Sequence, residues 1–340
     1  MQHNKTIDVH AHILSEETMR LMSKEAPSIA LKRTPIDHDS SVLEFAGAVY
    51  KPFPRGAWDM ETRLRDMDAA GVGMQVLSNT PQTFLYAIDA SLNAALAALQ
   101  NDQIAKTLAA HPERFFGIAT LPMQAPEKAA DELKRAMTRL GLRGAQIGSN
   151  VNGRNLDDPA LAPLWAVAHE LSAFIMVHPT QVAGADRLKS YYLANLIGNP
   201  LDTTIAAASL VFGGVVTRYP NIKFLLVHGG GFVPYQFGRF QHGWQLRGEP
   251  KVHLDEPPDA ALKRLWFDTI LHAQAPLEYL VAMAGASRVV LGSDYPFDMG
   301  TLECVRQVRA LSVSEADKAA ILTGAPRALL GAAQRERATA

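Results

Sequence analysis

Phe174-Ile175-Met176-Val177-His178 is a run of four apolar residues closed by a histidine, and Phe224-Leu225-Leu226-Val227-His228 repeats the pattern fifty positions later. Runs this short and this apolar, set between helical stretches, read as strands of a parallel sheet. An imidazole that ends such a strand has few protein partners, so each run offers a histidine for chemistry. Two further stretches share the design. Arg288-Val289-Val290-Leu291-Gly292-Ser293-Asp294 ends in an aspartate, and Thr6-Ile7-Asp8-Val9-His10-Ala11-His12 ends in two histidines one residue apart. Strand side chains alternate, so His10 and His12 share a face, about 6–7 Å apart in backbone rise.

Between these landmarks the chain keeps a βα rhythm. Val72–Leu77 is a second strand, Phe115–Leu121 a third, Gly144–Ile147 a fourth and Leu265–Thr269 a seventh. Helical stretches separate them: one opened by Trp58-Asp59 with Asp59 as N-cap, then 81–110, Glu127–Leu140, Ala160–Leu171, Thr203–Arg218, Ser314–Leu322 and Arg327–Leu330. His228 and Asp294 lie 66 positions apart, with the seventh strand between them. An eight-unit barrel of about 250 residues repeats about every 31, so the spacing suits a (β/α)8 barrel, that is, a TIM barrel. One domain over 1–340 is expected. Residues 13–57 interrupt the rhythm with prolines and a charged cluster, and read as an insertion over the barrel mouth with a small strand pair at Ser41–Phe45 and Ala48–Tyr50.

Composition narrows the function. At 48% hydrophobic over 340 residues the chain can bury a large core. With 33 basic against 34 acidic residues it carries no nucleic-acid footprint and no membrane-seeking charge. The single cysteine, Cys304, cannot form an internal disulfide. No apolar run is long enough to span a bilayer, and no signal-peptide pattern precedes Thr6, so a cytoplasmic protein is expected.

His10, His12, His178, His228 and Asp294 all fall at or just past the C-terminal ends of strands one, five, six and eight, the face on which barrel enzymes build their sites. Together they read as a metal centre with open coordination. Nitrogen and carboxylate donors suit a divalent transition metal, most simply Zn²⁺, with Mn²⁺, Fe²⁺ and Co²⁺ left open by ligand type. Such an ion lowers the pKa of its water and polarises a carbonyl or carboxylate. His228 is the choice for moving protons, since histidine titrates nearest neutrality and Gly229-Gly230-Gly231 leaves room for a substrate beside it. That glycine run lacks the Lys-Ser/Thr ending of a phosphate-binding loop.

His10-Ala11-His12, Val177-His178-Pro179, Val227-His228-Gly229-Gly230-Gly231 and Leu291-Gly292-Ser293-Asp294-Tyr295-Pro296-Phe297, in this order, resemble the amidohydrolase-related metal-dependent decarboxylases over nearly the whole chain. The resemblance implies His10, His12, His178 and Asp294 as metal ligands and His228 as acid/base. Gln146 stands where two-metal relatives carry a bridging lysine, which implies one metal per chain. In members of the family an insertion arginine and a second arginine, given by a neighbouring subunit, hold the substrate carboxylate. Here Gly238-Arg239 matches the second, implying a homodimer, and Lys51 with Arg55 nearby stands at the first. Lysine is a point charge without the bidentate grip of a guanidinium, so the carboxylate is held differently or the substrate differs. Phe297 can wall a planar substrate.

The activity expected is removal of CO₂ from a small unsaturated or aromatic carboxylic acid. A metal-dependent hydrolase of a lactone or amide would use the same site on a different electrophile, and a non-catalytic metal-binding barrel is the third reading. His272, past strand seven, is the one other histidine placed to reach the mouth. Asp268 is placed to support the site from behind.

Overall fold

The computed structural model describes residues 5–45 and 48–331. Its strands are β1 (Ile7–Ile13), β2 (Lys32–Pro35), β3 (Ser40–Phe45), β4 (Ala48–Pro54), β5 (Met74–Asn79), β6 (Phe115–Gly117), β7 (Ala119–Thr120), β8 (Gly144–Gly148), β9 (Phe174–His178), β10 (Lys223–Leu226), β11 (Trp266–Asp268) and β12 (Val289–Val290). β1, β5 and β6 pair in parallel, and β7 to β12 form a second parallel run in sequence order. The two arcs are one ring. β6 and β7 are halves of a single strand broken at Ile118, whose N–H donates to Leu77 O at 3.0 Å, while Arg143 N–H reaches Gly117 O at 2.9 Å. At the other seam Val9 N–H donates to Leu291 O at 2.9 Å and His12 N–H to Tyr295 O at 2.7 Å. Eight strand positions therefore close into the expected (β/α)8 barrel.

Some strand boundaries differ from those expected, two of them where polar residues crowd the mouth. The second strand starts two residues later than expected, and the sixth stops at Leu226, which leaves His228 in a tight turn. The eighth keeps only Val289 and Val290 as regular strand. Beyond it Gly292 is wedged so that a Cβ there would lie 3.1 Å from both His10 and Asp268 side chains.

Alternation along the strands divides the core in two. Phe174, Met176, Leu225, Val227, Met74, Val76 and Ile118 pack inside the barrel with Ile7 and Val9. The other faces pack outward under helices such as Ala90–Ala110 and Asn199–Phe212. A register shift in β1 between Asp8 and Ala11 displaces the alternation by one. Val9 thus lines the apolar interior, and His10 and His12 also turn inward, one storey higher. The base is stoppered by Ala325, Leu329 and Leu330 of the last described helix, Ala325–Leu330. Lys223 Nζ caps that helix by donating to Ala328 O and Leu329 O at 2.7 and 3.1 Å.

After β1 comes a helix, Glu16–Glu25, capped by the Ser15 hydroxyl, and then an antiparallel sheet in the order β2-β3-β4. The expected pair has gained a third strand, because Lys32-Arg33-Thr34-Pro35 carries no apolar alternation to announce it. Leu14, Met22, Leu31, Leu43, Phe53 and Ala57 form a separate buried cluster, with Phe297 and Tyr50 packed on it. Asp59 caps the helix Met60–Ala70 as read from sequence, its Oδ1 accepting from Thr62 N–H at 2.9 Å. Among the described residues no helix is long and apolar enough to cross a membrane.

Candidate active site

His10 and His12 stand on β1, His178 ends β9 and Asp294 follows β12. One donor atom from each lies within 4.8 Å of the others, and all four residues are buried. His10 Nε2 and His12 Nε2 are 3.1 Å apart, and Asp294 Oδ1 sits 3.3 and 3.1 Å from them. The Nδ1 atoms face away, toward protein. His10 Nδ1 meets Asp268 Oδ2 at 2.7 Å, His12 Nδ1 meets Ser78 Oγ at 3.0 Å and Asn79 O at 3.3 Å, and His178 Nδ1 meets Pro179 O at 3.1 Å. Outer partners of this kind fix ring orientation around a metal. His178 Nε2 is buried without a hydrogen-bond partner. A buried nitrogen left unpaired is costly, and a metal ion would relieve that cost. Three imidazole Nε2 atoms and a carboxylate oxygen aimed at one point fit a divalent ion.

Electrostatics prepares the donors. Burial pushes His12 down to about 4, with the Asp294 hydrogen bond opposing, and drives His178 well below the usual imidazole range, aided by the neighbouring histidines. Burial raises Asp294, but His10, His12 and His228 outweigh it and hold the carboxyl well below its ordinary value. His10 goes the other way: burial lowers it, and Asp294, Asp268 and Asp8 more than compensate. His12, His178 and Asp294 are thus already in the deprotonated forms a metal requires.

His228 occupies the turn after β10 with a left-handed backbone, φ 55°, and Asp294 is left-handed at the same value. Such conformations cost about 1–3 kcal/mol each in a non-glycine residue and gather at functional sites. Asp268 supports the turn. Its carboxylate accepts from His228 N–H at 3.0 Å, Gly229 N–H at 2.8 Å and Ile270 N–H at 3.1 Å while holding His10. One residue therefore sets both a metal-facing ring and the backbone of the proposed proton carrier. His228 Nε2 lies 3.3 Å from Asp294 Oδ2, and its Nδ1 has no protein partner.

The reading of Gly229-Gly230-Gly231 as room for substrate is corrected. Their φ values are 62°, 79° and 62°, and added Cβ atoms would strike Leu271, Phe267 and Pro200 O at 2.5, 2.5 and 2.2 Å. The glycines serve a sharp turn packed hard against its neighbours.

Phe297 lies 5.3 Å from the His12 ring, centroid to centroid, and joins an aromatic group with Tyr50 and Phe53 of β4 at 5.5 and 5.9 Å. The Tyr50 hydroxyl accepts from Gln82 Nε2 at 2.8 Å. Lys51 is exposed on β4. Arg55 donates to His38 Nε2 and Asp59 Oδ2 at 2.9 and 3.3 Å. Arg239 is exposed on the helix Val233–Leu246. Gln146 is buried on β8 and donates to Asn79 O at 3.2 Å. His272 is exposed and lines a cavity with Arg306 and Gln307, outside the donor cluster. His3 lies outside the described residues. Sequence reading passed over Asp8, Ser78 and Ser293, which brace the ligands. For Asp8 the signal was present, a carboxylate in the middle of an apolar strand.

A barrel whose mouth gathers three imidazoles and a carboxylate round one point, with a fourth histidine beside them, defines a metal-dependent barrel enzyme. The chain belongs to the amidohydrolase family, whose pattern it matches over residues 7–332, and stands among the amidohydrolase-related decarboxylases, as its strand-end motifs led one to expect. It is 36% identical to 2-amino-3-carboxymuconate-6-semialdehyde decarboxylase of Dictyostelium discoideum over 96% of this chain and 91% of the relative. Among solved structures, 5-carboxyvanillate decarboxylase of Sphingomonas paucimobilis superposes with a TM-score of 0.82 at 24% identity, over 96% of this chain and 99% of that one. Dihydroxybenzoic acid decarboxylase of Polaromonas sp. JS666, solved with manganese and 2-nitroresorcinol, gives 0.79 at 24% identity, over 96% and 97%.

Proposed function

We propose that the protein removes CO₂ without oxidation from a small aromatic or unsaturated carboxylic acid, with His10, His12, His178 and Asp294 holding one divalent ion and His228 carrying the proton. The observation that carries this reading is the convergence of four donor atoms within 4.8 Å, with His228 Nε2 3.3 Å from Asp294 Oδ2 alongside. Zn²⁺ is the metal proposed from the donor set, and Mn²⁺, present in the dihydroxybenzoic acid decarboxylase structure, is its first competitor. When bound, the ion supplies Lewis acidity that draws in a carboxylate or hydroxyl oxygen.

The chain's own groups supply the rest. Asp268 holds the His228 backbone so that its ring faces the donor cluster. His228 gives a proton to the carbon that bore the carboxylate, the carbon–carbon bond pair stays with that carbon, and CO₂ leaves. Phe297 stacks on a planar substrate, and Lys51 and Arg55 lend positive charge from the insertion, which acts as a roof on a single-domain barrel. Arg239 reaches the site of a second copy in a homodimer and grips the carboxylate as a planar fork.

The test is a panel of carboxylated catechols, resorcylates, vanillates, phthalates and muconate semialdehydes, given to protein reconstituted in turn with Zn²⁺, Mn²⁺, Fe²⁺ and Co²⁺. CO₂ release by at least one pairing, with one metal per chain, is the expected result. Acid release from lactones or amides without CO₂ would replace this reading with the hydrolytic one.

A further inference from the structure

Arg63 is entirely buried, on the helix that follows the insertion, and its guanidinium is shared among three segments. Nε donates to Gly56 O at 2.9 Å, at the exit of the insertion. Nη1 donates to Gln75 Oε1 at 2.7 Å on β5, and Nη2 donates to His12 O on β1. The chain of bonds continues inward. Gln75 Nε2 donates to Asp8 Oδ2 at 2.8 Å. Asp8 in turn accepts from His10 N–H at 3.1 Å, Ser293 N–H at 3.0 Å and Ser293 Oγ–H at 2.5 Å. Ser293 Oγ then accepts from Tyr295 N–H at 3.2 Å, so the network grips the backbone on both sides of Asp294.

A second contact closes the loop. The guanidinium carbon lies 4.8 Å from the centre of the Tyr295 ring, and Tyr295 Oη donates to Asp66 Oδ2 at 2.5 Å. Gly56 is pressed onto that hydroxyl: a Cβ there would lie 1.7 Å from it. Beside this contact, Leu14 N–H donates to Ala57 O at 2.9 Å. The foot of the insertion, the β1 ligand pair and the turn bearing Asp294 therefore meet on one side chain. A buried ionic network of this kind adds little stability over a well-packed apolar core, which argues for a role in geometry.

We propose that Arg63 is a positioning residue. Through His12 O, and through Gln75, Asp8 and Ser293, it sets the relative placement of His10, His12 and Asp294, and it makes that placement depend on the insertion being seated at Gly56. The proposal rests on the metal reading above. Arg63 touches neither metal nor substrate, and its planar fork spreads donors over three acceptors on three segments, a reach the compact ammonium of a lysine lacks.

The experiment measures metal dissociation constants by chelator competition, with Zn²⁺ and Mn²⁺, on the folded full-length chain. Arg63→Met is expected to weaken metal binding 10- to 100-fold, the range for losing an outer support of a metal site. Arg63→Lys, which keeps the charge without the fork, should recover part of that loss. Gln75→Leu, which cuts the link between Arg63 and Asp8, should weaken binding at least about fivefold and decides the matter if Arg63→Met does not fold. Variants that melt earlier yet bind metal within about twofold of wild type would show a purely structural Arg63 and overturn this proposal alone. Wild-type protein that binds no stoichiometric metal would overturn the metal reading, and this proposal with it.

Discussion

The barrel has two ends built on the same strands, three or four residues apart on each. At the base, Phe174, Leu225 and Ile7 share one buried apolar cluster with Leu329 and Leu330 of the closing helix. At the mouth, β9 has moved on from Met176 to His178, β10 has given way to His228, and β1 has passed from Val9 to His10 and His12. Base residues find their partners in one another. Mouth residues keep nitrogens that the protein does not pair, in His178 and His228. In this family member fold strength and chemistry are therefore stacked along one axis rather than assigned to separate parts, and a change at either end should read out almost independently of the other.

The largest effects test that independence directly. His228→Ala should lower turnover by about 10²–10⁴-fold, the usual worth of a positioned acid/base group. Metal content by elemental analysis should stay at one per chain, and the melting temperature should move little. At the opposite end Leu329→Ala should cost about 2–5 kcal/mol of stability in a urea titration, as a buried large-to-small change does, with kcat and KM of the folded protein unaltered. If Leu329→Ala changes KM, or His228→Ala unfolds the chain, the two ends are not separable.

A smaller effect belongs to Asp268→Asn. The amide can still accept from one backbone N–H but cannot serve His10 and the His228 turn as an ion. Metal affinity should fall about 10–100-fold and turnover with it, measured by chelator competition and steady-state kinetics on the same preparation.

The smallest is a pH signature. Folded His12 refuses a proton between about 4 and its ordinary 6.5, whereas unfolded His12 accepts one, so its contribution to stability is lost as pH falls through that window. His178 acts in the same direction. His10, raised in the fold, stabilises below 6.5 and loses that contribution as pH rises through its folded value, so it offsets part of the change. Two against one, the metal-free protein's urea midpoint should drop between pH 7 and 4.5. Leu329→Ala should show a parallel curve set lower. A flat profile would mean that His12 and His178 are not buried as neutral groups.

Much of the architecture was legible because parallel strands buried on both faces read as apolar runs, and the donors stand where those runs end. His178 and His228 announced themselves in this way, as did the His10–His12 pair. Three things were hidden. The register shift at Asp8 is a backbone event with no composition of its own, so simple alternation brought His10 and His12 to one face without explaining how Val9 also lines the interior. β2 is charged and proline-ended, and forms because β3 offers it an edge. The Arg63 network joins residues from positions 8 to 293, and no local pattern signals contacts at that separation. Gly229 to Gly231 misled by their usual association with open space, where here they permit close packing.

The left-handed backbone at His228 and Asp294 limits what selection can try at these two positions. Outside glycine, that conformation is well tolerated by few side chains, chiefly asparagine, aspartate and histidine. Two of those three carry a titratable group, so mutation there, short of rebuilding the turn, exchanges one proton-bearing or metal-binding group for another or removes it. New substrates can be explored through the insertion and the aromatic wall, while the repertoire of acids and bases at the reacting centre stays confined to the few that the turn admits.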